Sequence, residues 1–315
     1  MFPILTVTLN PAWDVTYPVD ALVPGATHRT GRVAGRAGGK GINVARVLTR
    51  MGQPALATGV LGGDAGRAVA ADLAAAGVPA DFGPGDRAAT RTTVTVVETG
   101  TGRATLFNEP GPEDGTVDWP RLRARLLALA EGSAVLVLSG SLPPAVPVTA
   151  YAELITGARA RGVPVILDCD GPALTAALPA RPDIVKPNAD ELARATGTRD
   201  LRHGAELLLA AGARAVVVSD GPAGLLALAG RERVQARPPA VAAVNPTGAG
   251  DAAVAALAAG LPAGASWEQR LRDAAAWSAA SVLEPVAGAV DPDTARRLAT
   301  QVEVEAGTAE RTRAC

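Results

Sequence analysis

A glycine-rich stretch with one carboxylate gives this sequence its clearest chemical signal. Residues 245–251 read NPTGAGD and run into an alanine-rich segment, which is a strong helix former. Gly248 and Gly250 let the backbone turn tightly, so that amides at the start of the helix could bind an anion such as phosphate. Asp251 would repel that anion unless it removed the proton from an attacking hydroxyl group. A helix N-cap, worth about 1 kcal/mol, also explains the aspartate, and from this stretch alone it is the simpler interpretation.

A second glycine-rich loop lies nearer the N-terminus and contains a lysine. Residues 35–48 read GRAGGKGINVARVL, in which glycines precede an amphipathic helix. The loop lacks the P-loop pattern, because Lys40 is followed by Gly41 and not by serine or threonine. A tight turn from strand to helix explains the glycines but leaves the lysine unexplained. We therefore expect Lys40 and Asn43 to lie beside closely approaching backbone.

Apolar strands alternate with helices through the second half of the chain. Strands are predicted near 135–138, 163–168, 183–185 and 215–218, and such continuous apolar strands indicate a parallel sheet covered by helices on both faces. Ligands bind beyond the carboxyl ends of the strands in such sheets. Including a first strand near 4–9, the strands end in small or polar residues, namely Asn10, Ser139, Asp168, Lys186, Asn188 and Ser219. This repetition predicts a ligand site at one edge of the sheet.

A separate small sheet is predicted in the first third of the chain. Residues 13–19 and the stretch around 29–33 alternate polar with apolar side chains, as half-buried strands do. Residues 90–98 and 104–108, separated by a turn sequence, have the pattern of a hairpin. One face of these strands should be solvated or cover a ligand, so we expect them to form a lid.

The sequence contains no linker, internal repeat or low-complexity segment that would mark a domain boundary. We expect a single α/β domain over residues 1–315, in which about 11–37 and 87–108 form the β-sheet lid. The tail after Val304 is polar and is predicted to fray.

Composition argues against several classes of function. The chain has 31 acidic and 30 basic residues, so neither nucleic acid nor a membrane is an expected partner. It contains no unbroken apolar stretch long enough to span a bilayer, and no signal peptide is expected from its start. Cys169 and Cys315 favour neither a disulfide framework nor a zinc site, so we expect a cytoplasmic enzyme. His28 and His203 lie far apart in sequence and are not expected to bind a metal.

Taken in order, these motifs resemble those of the ribokinase-like (PfkB) carbohydrate kinases, and within them the branch of 1-phosphofructokinases and tagatose-6-phosphate kinases. The similarity extends over essentially the whole chain, as far as the predicted helix near Ser281. Its most specific parts are TVTLNPAWD at 6–14, AGGKGINVARV at 37–47, LSGSLP at 138–143, KPN at 186–188 followed by Glu191, and GAGD at 248–251. Each part is a weak signal alone, whereas five parts in the family's order are a strong one.

The resemblance implies a Rossmann-like α/β core with a small β-sheet lid, and phosphoryl transfer from ATP, with Mg²⁺, to a sugar hydroxyl. It implies that Asp251 is the base and that the amides of Gly248, Ala249 and Gly250 form the anion hole. It places the sugar against Asp14, Gly38, Gly39, Lys40, Asn43 and Ser139. It places the nucleotide against Lys186, Asn188, Glu191, Ser219, Gly221, Gly224 and Ser278. Glu191 would hold Mg²⁺, directly or through water.

A phosphorylated acceptor adds negative charge, so cations should lie near it. Lys40, Arg29 and Arg91 are the candidates, although arginine is abundant in this chain and solubility is an alternative explanation for each. The motifs of the branch favour a phosphosugar, and among phosphosugars fructose 1-phosphate, the product being fructose 1,6-bisphosphate. Tagatose 6-phosphate and fructose 6-phosphate are the alternatives, followed by an unphosphorylated sugar or a nucleoside.

Two other functions stay open at this point. Residues 248–253 fit a loose dinucleotide fingerprint, although helices follow them where a strand should stand. A sugar-phosphate sensor on the same fold is the second alternative, against which the intact Asp251 argues. Asp170 and Asp220 depart from the family's pattern near the predicted nucleotide, and their role is open. The exposed edges of a lid sheet predict a homodimer formed through the lid.

Overall fold

The computed structural model describes residues 2–84 and 88–308, which form two β-sheets and ten α-helices. The larger sheet contains β1 (Ile4–Thr8), β4 (Ala55–Leu61), β5 (Gly83–Pro84), β8 (Val135–Ser139), β9 (Val165–Asp168), β10 (Ile184–Val185), β11 (Ala215–Ser219), β12 (Leu225–Ala229), β13 (Glu232–Arg237) and β14 (Glu303–Thr308). The smaller sheet contains β2 (Ala12–Val19), β3 (Ala34–Gly38), β6 (Arg91–Glu98) and β7 (Ala104–Asn108). The helices are α1 (Lys40–Arg50), α2 (Gly63–Ala75), α3 (Trp119–Glu131), α4 (Ala150–Arg159), α5 (Gly171–Ala177), α6 (Ala189–Thr196), α7 (Leu201–Ala210), α8 (Ala249–Gly260), α9 (Trp267–Ser281) and α10 (Pro292–Ala299).

The larger sheet is mostly parallel, which confirms the predicted fold class. Its strand order is β14-β13-β12-β11-β10-β9-β8-β1-β4-β5, with β12, β13 and β14 pairing antiparallel at one end. The parallel strands are continuous apolar runs that are buried, as VLVL at 135–138 illustrates. Because β1, β8, β9, β10 and β11 run in the same direction, their carboxyl ends meet at one edge. That edge is where the sequence predicts a ligand site.

Helices cover both faces of this sheet. One apolar core contains side chains of α1, α8, α9 and α10, and a second contains side chains of α3, α4, α5 and α7. Residues 251–258 of α8 are all buried, as expected for a helix that is apolar on every side. Packing around α8 therefore fixes the position of its first turn. Among the described helices, none combines the length and the apolar character needed to cross a bilayer.

The smaller sheet has the strand order β3-β2-β6-β7, with β2 parallel to β6 and antiparallel to β3. These strands fall within the segments predicted for the lid, except that β3 extends one residue further, to Gly38; residue 87 lies outside the described residues. The strand predicted around 29–33 is wrong, because β3 begins at Ala34 and residues 29–33 form an exposed connection. Alternating polar and apolar side chains form a strand only where a neighbouring strand is available for pairing, and β2 pairs with residues 34–38 instead.

The prediction that the chain frays after Val304 is wrong for residues 305–308, which belong to a strand. Residues 303–308 form β14, which pairs antiparallel with β13 over its whole length. Val304 is partly buried against the core, so this mostly polar segment supplies one apolar contact. Residues 309–315 lie outside the described residues.

Candidate active site

The conformation of Gly248 sets the start of α8. Gly248 has a φ of 92°, and a Cβ at this position would lie 3.1 Å from the Cα of Ala287, so residues with side chains are disfavoured. The first-turn amides that follow have no acceptor within the helix, and the helix dipole places partial positive charge among them. The amide of Ala249 makes a long bond of 3.4 Å to the Pro246 carbonyl. The start of α8 therefore has the geometry of an anion site.

Asp251 lies buried in this first turn. Its Oδ2 accepts a hydrogen bond of 2.8 Å from Nδ2 of Asn43. Burial raises the pKa of Asp251 to about 7; Asp168 adds to the rise, while the Asn43 bond, Lys40 and Lys186 oppose it. A pKa near neutrality suits a general base that takes a proton from a hydroxyl group.

Lys40 forms ion pairs with two buried carboxylates. Its Nζ lies 3.3 Å from Oδ1 of Asp168 and 3.3 Å from Oε1 of Glu191. Burial acts to lower the pKa of Lys40, but Asp168, Glu191 and Asp251 together raise it above its ordinary value. Lys40 is therefore cationic at neutral pH, and its side chain retains 37% exposure, so a ligand can reach it.

Asp168 is a site residue that the sequence did not assign, although it was recognised as a strand end. Its side chain is 1% exposed, and its Oδ1 lies 3.6 Å from Nζ of Lys186 as well as beside Lys40. Its Oδ2 has no hydrogen-bond partner among the described residues. In the sheet register Asp168 is the partner of Ser139, so both strand ends open at the same edge. Asp168 thus holds two lysines beside Asp251.

Asn188 and Glu191 form a capping box at the start of α6. Oδ1 of Asn188 accepts from the Glu191 amide at 2.8 Å, and Oε2 of Glu191 accepts from the Asn188 amide at 2.9 Å. Ser219 is the last residue of β11 and forms a β-bridge with Asn188, which brings the two strand ends together. The capping bonds fix the Glu191 carboxylate at the place where it meets Lys40.

An open cleft of about 440 Å³ lies among these groups. Gly224 borders the cleft with a φ of 102°, and a Cβ there would overlap the Ala236 carbonyl. Oγ of Ser278 donates 2.8 Å to the Ala249 carbonyl and so ties α9 to the first turn of α8. The predicted residues that line the cleft are Lys40, Asn43, Lys186, Asn188, Glu191, Ser219, Gly221, Gly224, Gly248, Ala249, Gly250, Asp251 and Ser278. Lining residues that were not predicted are Asp168, Leu225, Pro238, Thr247 and Ala275.

A second group of predicted residues belongs to the smaller sheet. A carboxylate oxygen of Asp14 on β2 accepts a hydrogen bond from the hydroxyl of Thr93 on β6. Burial raises the pKa of Asp14, against the opposing effects of the Thr93 bond and the charge of Arg91. Nη1 of Arg91 donates 2.9 Å to the Glu109 carbonyl. A Cβ at position 38 would overlap the Asp14 carboxylate, so Gly38 is required for this arrangement.

The remaining predicted residues of this region connect the two sheets. Gly39, with a φ of 117°, caps α1, and its carbonyl accepts from the Asn43 amide at 3.0 Å. Ser139 is fully buried, and its Oγ has no hydrogen-bond partner among the described residues. Gly140 follows Ser139 and lies against the side chain of Lys40, where a Cβ would be 3.8 Å from the lysine Cβ.

Residues 7–294 match the pfkB family of carbohydrate kinases. The chain belongs to that family. It is therefore an enzyme that phosphorylates a carbohydrate, with ATP as a substrate.

Three similar proteins cover nearly the whole chain. The 1-phosphofructokinase of Rhodobacter capsulatus is 38% identical over 308 residues, which are 96% of this chain and 97% of the relative. The 1-phosphofructokinase of Xanthomonas campestris pv. campestris is 39% identical over 313 residues, which are 96% and 98% of the two chains. The crystal structure of phosphofructokinase-2 from Escherichia coli in complex with potassium has a TM-score of 0.89 and 31% identity, and covers 96% of this kinase and 99% of its own chain.

Three predicted or queried residues lie outside both the lining of the cleft and the smaller sheet. Arg29 is exposed on the connection between β2 and β3, so its place in the site stays a prediction. Asp170 is directed toward Arg194, with Oδ2 3.3 Å from Nη2, and both side chains are about half exposed or more. Asp220 is exposed and does not line the cleft. The two unusual acids therefore need not repel a nucleotide in the cleft.

Proposed function

We propose that this kinase is a 1-phosphofructokinase, which converts fructose 1-phosphate and ATP to fructose 1,6-bisphosphate and ADP. The observation that carries the reaction is the buried carboxylate of Asp251 in the first turn of α8, beside the anion site. The choice of acceptor is supported by the two 1-phosphofructokinases that are 38% and 39% identical over nearly the whole chain. The cytoplasmic location expected from the cysteine content belongs to the same proposal.

In the proposed reaction, the C6 hydroxyl of the acceptor lies against the Asp251 carboxylate. Its oxygen forms a bond to the γ-phosphorus of ATP while the bond from that phosphorus to the bridging oxygen breaks. The hydroxyl proton passes to Asp251, and ADP leaves with the electron pair of the broken bond. The nearly neutral pKa of Asp251, about 7, suits a late proton transfer of this kind.

Donors around Asp251 are suited to the charge that develops on the transferred phosphoryl group. The amides of Gly248, Ala249 and Gly250 would bind its oxygens at the positive end of α8. Lys40 and Lys186 are held within 4 Å of Asp168, so their charges are fixed in place before any substrate binds. Such prearranged donors need no reorganisation during the reaction, which is the usual source of the largest catalytic effect.

Magnesium is expected with ATP, and the residues present fit a water-mediated site. The described residues contain no group of three or more His, Cys, Asp or Glu side chains arranged to hold a metal. Both oxygens of Glu191 already accept hydrogen bonds, from the Asn188 amide and from Lys40. Mg²⁺ keeps several waters and takes its other ligands from one or two carboxylates and the phosphates. We therefore place Glu191 in contact with the ion through water, and the bound ion would supply charge neutralisation.

We further propose that the smaller sheet is a lid over the acceptor. Asp14 is positioned to bind sugar hydroxyls, because Thr93 and Gly38 fix its carboxylate and leave it close to α1. Arg91 would bind the phosphate of the acceptor, since its guanidinium donates to the Glu109 carbonyl and pairs with no carboxylate among the described residues. Arg29, Ser139 and Lys40 complete the predicted acceptor site.

The proposal is tested by measuring ATP consumption with a panel of acceptors. The panel contains fructose 1-phosphate, fructose 6-phosphate, tagatose 6-phosphate, fructose, ribose and adenosine, with Asp251→Asn as the inactive control. We expect the highest kcat/KM with fructose 1-phosphate. A higher kcat/KM with fructose 6-phosphate or tagatose 6-phosphate would reassign the acceptor. If no sugar in the panel caused ATP consumption, the proposed kinase reaction would be contradicted.

A homodimer formed through the lid is part of the proposal. β7 is an edge strand whose residues are all exposed, and Leu106 and Phe107 are 59% and 57% exposed. Apolar side chains on an unpaired edge are a template for pairing with a second copy. We expect Phe107→Asp to lower the mass measured by light scattering from dimer to monomer, whereas Val148→Asp, an exposed apolar site outside the sheet, should leave it unchanged. A monomeric unsubstituted chain would contradict this part.

A further inference from the structure

A second cavity, of about 300 Å³, lies at the C-terminal end of α1, whose N-terminal end borders the cleft. It is bounded by the C-terminal half of α1, by β3 and by the loop before α10. We call it the arginine pocket, and its polar lining consists of Arg36, Arg46, Thr49, Arg50 and Glu284, with the backbone of Gly288.

The arginine pocket collects buried donors that have no partner. Nη1 of Arg36, Nε of Arg46 and Oγ1 of Thr49 are each inaccessible to solvent and make no hydrogen bond among the described residues. Arg46 is 5% exposed, so its Nε cannot be satisfied by bulk water. A buried donor without an acceptor costs about 1–3 kcal/mol. All three belong to side chains that line one cavity, so a rotation of these side chains would present the donors to an acceptor bound there.

Charge in the arginine pocket is positive and only partly compensated. Arg46 pairs with Asp72, which also accepts from the Ala37 amide at 2.8 Å. Within the described part of the chain, neither Arg36 nor Arg50 has a carboxylate within 4 Å. Burial, and then the charge of Arg46, lower the pKa of Arg36, while the charges of Asp72 and Asp14 oppose the change.

The lining also contains one acid, Glu284. It makes no ion pair with a described cation, so it does not neutralise the arginines directly. Because Arg46 is paired with Asp72, the charges that remain in the lining are the two cations Arg36 and Arg50 and the one carboxylate Glu284. An anion with several acceptor oxygens would neutralise the excess positive charge and would accept hydrogen bonds from the unpaired donors.

We propose that the arginine pocket binds a phosphate group, either as the free ion or as a small phosphate monoester. Guanidinium groups match phosphate oxygens in geometry, and Thr49 adds a hydroxyl donor. A cavity of about 300 Å³ has room for a phosphate with a short organic substituent.

The pocket is separate from the cleft where phosphoryl transfer is proposed. None of its polar lining residues lines the cleft. Helix α1 borders both sites, because it contributes Lys40 and Asn43 to the cleft and Arg46 to the arginine pocket. Gly288 lies between the two, since a Cβ there would be 3.0 Å from Oδ1 of Asn43 and 3.3 Å from Cδ of Arg46. Binding in the pocket can therefore be measured whether or not the proposed acceptor is right.

The test is calorimetric titration of the full chain with inorganic phosphate and, separately, with glycerol 3-phosphate, in the presence of a saturating non-hydrolysable ATP analogue. We expect at least tenfold weaker binding in the variant Arg36→Met/Arg50→Met. Arg121→Met/Arg199→Met removes two exposed arginines elsewhere and should bind as the unsubstituted chain does. Thr49→Val, which removes one hydroxyl and no charge, should weaken binding a few fold and guards against misfolding of the double variant.

The variant Arg91→Ala tests whether the probe binds in the acceptor site instead. We expect this variant to bind the probe as tightly as the unsubstituted chain, because the arginine pocket is unchanged. Stronger binding of glycerol 3-phosphate would assign the pocket to monoesters, and stronger binding of inorganic phosphate would assign it to the free ion. The proposal is overturned if neither probe binds, if the Arg36/Arg50 variant binds normally, or if Arg91→Ala alone abolishes binding.

Discussion

The catalytic cluster, which consists of Lys40, Asp168, Lys186, Glu191 and Asp251, and the lid differ in how firmly their charged groups are held. In the cluster, Asp168 and Lys186 are nearly inaccessible, and Lys40 is fixed by two carboxylates at 3.3 Å. In the lid, Arg91 is only partly buried and is held by a backbone carbonyl, not by a carboxylate. The cluster is thus complete without a substrate, whereas the lid keeps hydrogen-bonding capacity for one.

This difference assigns separate tasks to the two regions. Groups that stabilise a transition state act best when they are already in place, so the buried cluster should determine kcat. Groups that recognise the acceptor act on its binding, so lid residues should determine KM and the choice of sugar. Substitutions in the two regions should therefore separate kinetically, and the predictions below test that separation.

The largest effect is expected from Asp251→Asn. The amide keeps the shape of the side chain but cannot take the proton, so kcat should fall by roughly 10²–10⁴-fold with KM little changed. Steady-state kinetics with fructose 1-phosphate measures this, and the melting temperature should not decrease, because a buried carboxylate with a pKa raised by burial is replaced by a neutral group. Near-normal turnover would exclude Asp251 as the base.

The next largest effect is expected from Arg91→Ala in the lid. Loss of a cation at the acceptor phosphate should raise KM by roughly 10- to 100-fold, about 1.4–2.8 kcal/mol, while kcat stays within a few fold. Arg103→Ala is the matched control, since Arg103 lies in the turn between β6 and β7 but pairs with Glu98 and is 74% exposed. Equal changes of KM in the two variants, or a decrease of kcat alone in Arg91→Ala, would contradict the assignment of acceptor binding to the lid.

The two regions also differ in how much the sequence predicts. Glycines with a fixed spacing encode local turns, so the anion site and the loop before Lys40 could be inferred from residues a few positions apart. The fold class followed from apolar strands that are continuous along the chain. Lid boundaries could not be inferred in the same way, because residues 29–33 alternate like a strand but find no neighbouring strand to pair with.

Asp168 illustrates a different limit. The sequence offers two acids, Asp168 and Asp170, at the same strand end, and spacing by two would place both on one face of a continuing strand. The strand instead ends at Asp168 and α5 begins at Gly171, so the chain turns between the two acids. One carboxylate enters the cluster and the other reaches Arg194 at the surface. Only the tertiary structure decides which acid is buried.

A smaller effect, on pH dependence, probes the cluster itself. Because burial raises the pKa of Asp251 to about 7, the ionised base is lost as the pH falls, and kcat should decrease tenfold per unit well below that value. The Asn43 amide donates to Asp251 and lowers its pKa, so Asn43→Leu should move the acid limb to higher pH by about 0.5–1 unit, equivalent to one hydrogen bond. The measurement is log kcat against pH for both proteins. An acid limb that moves to lower pH would contradict the assignment of that limb to Asp251.

The smallest effect is expected from Asp170→Asn. Asp170 lies two residues from Asp168, but it is exposed and pairs at 3.3 Å with an arginine that is 62% exposed. An exposed ion pair of this kind contributes about 0–1 kcal/mol, and Asp170 does not line the cleft, so kcat and KM should both stay within about twofold. Asp168→Asn should behave very differently, because it leaves Lys40 and Lys186 without their shared carboxylate, and kcat should fall at least tenfold. Similar effects of the two substitutions would contradict the view that burial and contact with the lysines distinguish a catalytic acid from a surface acid at this edge of the sheet.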